Sequence, residues 1–132
     1  MTFYRRAVKR RKLVYVICTP RPNRYARGRS RVIYIGTTKK GVHRVASSMA
    51  GKAISFLERR GIKQLDVYLV VCPPRPGTPS WSLLEHDLLV AFRINYGEQP
   101  FGNQLGKNFG PDGLSRLFKY SRLANVLATF EK

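Results

Sequence analysis

Acidic residues are scarce. The 132-residue chain sets 7 Asp and Glu against 25 Lys and Arg, a formal net charge of +18, and its first acid is Glu58. Such an imbalance costs self-repulsion and is most simply explained by a polyanionic partner. Cysteine is nearly absent: Cys18 and Cys72 each end an apolar run, which excludes a disulfide framework and reads as two buried thiols in a reducing compartment. With two histidines, His43 and His86, and no Cys-x-x-Cys pairing, a zinc site is unsupported. No apolar run approaches the ~20 residues needed to span a bilayer. The basic N-terminus lacks the apolar stretch and small-residue cleavage site of a signal peptide. The expectation is a cytoplasmic protein, nuclear if eukaryotic, with no membrane association. Internal repeats and low-complexity tracts are also missing.

What is present is a core. Hydrophobic residues make up 43% of the chain, enough for a packed interior and too much for a disordered polycation. The length fits one domain, here residues 13–132, preceded by a basic arm over 1–12. Leu13–Cys18 and Val32–Gly36 are β-branched and apolar at consecutive positions, as in central strands covered on both faces. Between them Thr19–Arg31 holds two prolines, a glycine and five arginines, and reads as a long solvated loop. Val42, Val45, Ala46, Met49, Ala53, Phe56 and Leu57 share a helical stripe. Leu65–Cys72 reads as a third strand, ended by Pro73-Pro74-Arg75-Pro76-Gly77. Ser80 is a fair N-cap for a helix over 81–95. Residues 97–113 read as irregular, and Leu114–Phe130 as a last amphipathic helix. The fold class that buries these faces is α+β, a small three-stranded antiparallel sheet flanked by helices.

Glu85 stands out within that second helix. Trp81, Glu85, Leu88, Leu89 and Phe92 share a face, so a carboxylate interrupts an apolar stripe. Such a group needs a cation, a metal or several donors. An arginine at the stripe's edge and a divalent metal are both open as its partner.

Tyr15 lies in the first apolar run, and Tyr34-Ile35-Gly36 closes the second. Arg44 follows ten residues after Tyr34, then Glu85, then Asn103 in Pro100-Phe101-Gly102-Asn103. Together these resemble the GIY-YIG nucleases. The second element is matched in full; the first, Leu13-Val14-Tyr15, only at its tyrosine. The resemblance covers about residues 12–108.

It implies a metal-dependent endonuclease that hydrolyses DNA phosphodiesters, RNA being a second candidate, with one divalent metal, Mg²⁺ by preference. In the family's pattern Tyr15 or Tyr34 orients or deprotonates the attacking water. Arg44 stabilises the phosphoryl charge, Glu85 is the single protein ligand of the metal, and Asn103 positions the backbone. His43, beside Arg44, is a candidate for proton transfer. Arg21, Arg24, Arg27, Arg29, Arg31, Lys39 and Lys40 are the candidate nucleic-acid contacts. A basic DNA- or RNA-binding protein that keeps the fold without catalysis, its tyrosines packed in the sheet and Asn103 in a turn, explains the +18 charge equally well but leaves Glu85 on an apolar stripe unexplained.

Overall fold

Consecutive apolar residues build both expected strands, but only the first is central: the second, expected in the middle of the sheet, lies at its edge, and both run further than their apolar stretches. In the computed structural model, residues 13–38, 61, 64–70, 77, 80–103, 113–115 and 117–132 are described. The arm 1–12, Lys39, Lys40, His43, Arg44, the stripe from Val42 to Leu57, Cys72 and residues 73–76 lie outside them. β1 spans Leu13–Arg24, β2 Arg29–Thr38 and β3 Asp66–Val70. They form a three-stranded sheet in the order β2-β1-β3, antiparallel throughout, with β1 in the centre. α1 spans Ser80–Tyr96, a 3₁₀ turn Phe101–Asn103 and α2 Tyr120–Ala128. The α+β class expected from the sequence is therefore the observed one. No described helix is long and apolar enough to cross a membrane.

The alternation of β1 divides the interior. Val14, Val16 and Cys18 face one side, where Leu84, Leu88, Phe92 and Tyr96 of α1 and Leu123 and Leu127 of α2 cover them. Tyr15 and Ile17 face the other side with Ile33, Leu65 and Val67. A register shift complicates β2: Ile17 faces Tyr34, but Cys18 faces Val32, leaving Ile33 as an extra residue. This bulge lets Ile33 and Tyr34 both join the Tyr15 side while Val32 and Ile35 join the other.

The stretch 19–31 is corrected from a solvated loop to a pinned hairpin. After Cys18, β1 swells outward through Thr19, Pro20, Arg21 and Pro22, all opposite Arg31, before pairing resumes at Asn23 and Ser30. The prolines have no N–H for the ladder, which confines them to such a bulge. Asn23 Nδ2 donates to Thr19 Oγ1 (2.8 Å), stapling the swelling across its base. At the tip, Tyr25 turns back into the core, stacked on Phe101 (4.2 Å between ring centres) and edge-on to Phe92 (4.9 Å). Its hydroxyl donates to Val32 O (2.7 Å) and accepts from Phe101 N (3.1 Å). Arg27 N donates to Tyr96 O (2.8 Å), and Ala26 N to Glu98 Oε2 (2.7 Å).

The last helix starts later than its hydrophobic pattern suggests, at Tyr120 rather than Leu114. Ser115 accounts for the delay: its Oγ accepts from Leu117 N (3.3 Å), a local side-chain bond that competes with the helical turn. Leu114 and Phe118 still pack on the core, from backbone outside the helix. Beyond α2, Phe130 is buried and its carbonyl accepts from Arg31 N (2.7 Å), closing part of the outer edge of β2.

Cys18 lies fully inside this core, and burial pushes its thiol up from 9.0 to about 12. Burial, reinforced by the hydrogen bond to Glu131, likewise raises the Tyr96 phenol. Both folded-state values exceed the unfolded ones, so the neutral forms contribute stability that is complete below pH 9.0 and declines toward about 12 as the unfolded chain ionises first. Urea unfolding should give a stability that falls from about pH 9 upward, with a shallower fall for Cys18→Ala.

Candidate functional site

Tyr15 and Gly36 are direct cross-strand partners, and Tyr34 lies two residues from Gly36 on β2. The two rings stack at 5.8 Å between centres, inclined by 26°. A Cβ on Gly36 would lie 2.7 Å from both Tyr15 Oη and Tyr34 Cε1. The glycine of Tyr34-Ile35-Gly36 is thus the floor on which both aromatic rings rest, and no larger residue fits beneath them. The rings differ in access: Tyr15 is 1% exposed, whereas Tyr34 is half-buried.

Ile35, the middle residue, is held from outside the sheet. Asn103 Oδ1 accepts from Ile35 N (2.9 Å) and Asn103 Nδ2 donates to Ile35 O (2.9 Å). The amide thereby pairs with the strand edge as another strand would. Gly102 permits the approach, since a Cβ there would lie 2.6 Å from Ile33 O and 3.1 Å from Tyr34 Cδ2. Losing the Asn103 amide would strand a buried N–H and C=O, a cost of about 2–3 kcal/mol. The resemblance gives Asn103 a backbone-positioning role; in the structure its amide holds the backbone of β2 at Ile35, next to Tyr34 and Gly36.

Glu85 is half-buried at the margin of the α1 stripe rather than inside it. Among the described residues it has no hydrogen-bond or ion-pair partner. α1 packs on the Val14 and Val16 side of the sheet and the tyrosines lie on the other. No contact among the described residues joins Glu85 to them. Tyr15, Tyr34 and Asn103 are brought together; Arg44 lies outside the described residues.

The buried carboxylate of α1 is Asp87, which sequence reasoning missed. It is 0% exposed and receives Ser115 N on Oδ1 (2.9 Å) and Ser115 Oγ on Oδ2 (2.6 Å). Its signal was its place between Leu84 and Ala91 at spacings of three and four. His86 Nε2 donates to Gly113 O (3.0 Å), fastening the same segment to α1. Asn95 Oδ1, at the end of α1, accepts from the Tyr120 hydroxyl. Among the described residues no group of three or more His, Cys, Asp or Glu could enclose a metal.

The basic hairpin presents Arg21, Arg24, Arg27 and Arg29 to solvent. Arg31 differs from them. It is half-buried, its Nη2 donates to Tyr68 Oη (3.1 Å), and its Nε is buried without a partner. The bond to Tyr68 chiefly raises its pKa, so its charge serves the sheet interior near Cys18 and Asp66. An open cleft of about 340 Å³ lies between the swelling at 19–23, Gly61 and Gln64. Comparison with family models, with curated proteins and with solved structures finds no match.

The two carboxylates of α1 should separate in a stability measurement. Asp87→Ala removes two charge-assisted hydrogen bonds that fasten Ser115 to α1 and should cost about 1.5–3 kcal/mol in urea unfolding, while Glu85→Ala should stay within about 0.5 kcal/mol of the parent. Equal costs for the two variants would contradict this division.

Proposed function

We propose that the protein is a metal-dependent endonuclease of the GIY-YIG type acting on DNA. The observation that carries this reading is the way the motif works as one unit. Tyr34 and Tyr15 stack on Gly36, and Ile35 between them is gripped by Asn103. Three of the five positions nominated from the sequence are thus interdependent in space. A chance run of strand residues would not require the distant Gly102-Asn103 pair to complete it.

Within this reading Tyr34 is the tyrosine that meets water, because it is half-buried whereas Tyr15 is enclosed. Tyr34 orients the attacking water and receives or relays its proton, and Tyr15 fixes the ring of Tyr34 by stacking. Arg44 places a guanidinium on the phosphoryl oxygens as negative charge grows there. Glu85 fits a Mg²⁺ ion as a single hard-oxygen ligand: it is half-buried, lacks a protein cation among the described residues, and leaves the other positions to water and phosphate oxygens. When bound, the metal supplies Lewis-acid stabilisation of the phosphate and the leaving 3′ oxygen. The exposed arginines of the hairpin hold the nucleic-acid backbone.

A second reading, a basic nucleic-acid-binding protein without catalysis, is favoured by the burial of Tyr15 and by the packing of α1, which carries Glu85, on the sheet face opposite the tyrosines. Supercoiled plasmid separates the two. Under the nuclease reading the protein nicks it with Mg²⁺ and not with EDTA. Glu85→Ala then abolishes nicking while retaining fold and binding, and Tyr34→Phe slows it at least ~100-fold, more than Tyr15→Phe does. Binding without nicking under any divalent metal selects the second reading. Nicking by Glu85→Ala at the parental rate removes the metal role from that residue.

A further inference from the structure

Arg24 and Arg29 are direct cross-strand partners at the last pair of the hairpin, and both are exposed. Side chains of such a pair leave the same face with Cβ atoms about 5 Å apart, a separation at which like charges destabilise a sheet. Neither guanidinium has a hydrogen-bond or ion-pair partner among the described residues, and Glu98 at the same tip accepts from the Ala26 amide.

The strands cannot splay apart to reduce the repulsion. The loop is closed by Tyr25 N donating to Gly28 O (3.0 Å), and it is anchored by Tyr25 in the core and Arg27 N on Tyr96 O. A hairpin held this firmly fixes the two side chains to neighbouring positions on one face, with no partner for either among the described residues. A tetrahedral dianion or a phosphodiester between them supplies the missing counter-charge. Its oxygens accept from both guanidinia at once, the geometry in which arginine binds phosphate most strongly.

We infer that Arg24 and Arg29 form one phosphate subsite, gripping a single backbone phosphate of the nucleic acid. The inference rests on the nucleic-acid reading of the hairpin and is independent of catalysis. One shared phosphate and two separate ones predict different salt dependences. Each phosphate neutralised on duplex DNA contributes about 0.9 to the slope of log K against log salt.

The test combines thermal unfolding of the free protein with titration of a fluorescent DNA duplex at several salt concentrations. EDTA is present throughout, so that cleavage plays no part. Arg24→Gln and Arg29→Gln should each raise the melting temperature of the free protein by about 1–3 °C, through relief of repulsion, while weakening DNA binding. Inorganic phosphate should raise the melting temperature of the parent more than sodium chloride of equal ionic strength, and this excess should vanish in the double variant. The double variant should lose about 0.9 of salt slope in total. A loss of about 1.8, an unchanged slope, or a lowered melting temperature in the single variants would each overturn the shared subsite. These readouts stand apart from plasmid nicking, so failure of the subsite and failure of the nuclease reading are distinguishable.

Discussion

The outer edge of β2 is the constraint on which the rest of this molecule depends. β2 is an edge strand, and an open edge offers unpaired N–H and C=O groups that attract foreign strands. Segments far apart in the chain close it. Asn103 takes both backbone groups of Ile35, and Phe130 O takes the Arg31 amide. Tyr25 completes the set from the hairpin tip by donating to Val32 O. Each closure also places a neighbouring element, the first and third of them part of the candidate site. The first fixes Tyr34 and Gly36, the second docks the segment after α2, and the third anchors the arginine hairpin. Edge protection and site construction are therefore the same set of bonds.

Magnitudes explain why the chain tolerates its charge. Opposed arginines cost a few tenths to about 1 kcal/mol at the hairpin end. Burying Tyr25 contributes about 1.5–3 kcal/mol, before its two hydrogen bonds are counted. The anchoring exceeds the repulsion, so the basic tip remains folded against α1 without a ligand. A flexible loop with the same arginines would relax away from the strain and lose rotamer and backbone freedom on binding. The pinned hairpin has already lost most of it.

Much of the fold was legible in the sequence. Runs of β-branched residues mark strands through local sterics, and the α1 stripe marks a helix through its period. Tyr34-Ile35-Gly36 carried its own warning, since a glycine inside a strand signals a close approach. What was not legible depends on partners distant in sequence. Residues 19–31 looked like a loop because nothing local shows that Tyr25 would enter the core beside Phe92 and Phe101. Glu85 was taken for the carboxylate on the buried face because aromatic and leucine neighbours surround it on the wheel. Burial instead fell on Asp87, whose compensation comes from Ser115 in a segment the periodicity assigned to the last helix. The pairing of Asn103 with Ile35 was not legible either, because an asparagine after Pro100-Phe101-Gly102 gives no local sign that its amide meets the edge of β2.

The grip of Asn103 on Ile35 is the contact that joins edge closure to the tyrosine pair. Backbone hydrogen exchange at the Ile35 amide measures it directly, in the parent protein and in Asn103→Ala, under conditions where both remain folded. The account predicts that the substitution removes most of the protection at Ile35, while the Val16 amide in the central strand keeps its own. Unchanged protection at Ile35 in Asn103→Ala would show that the edge of β2 is held by something else, and would contradict the account.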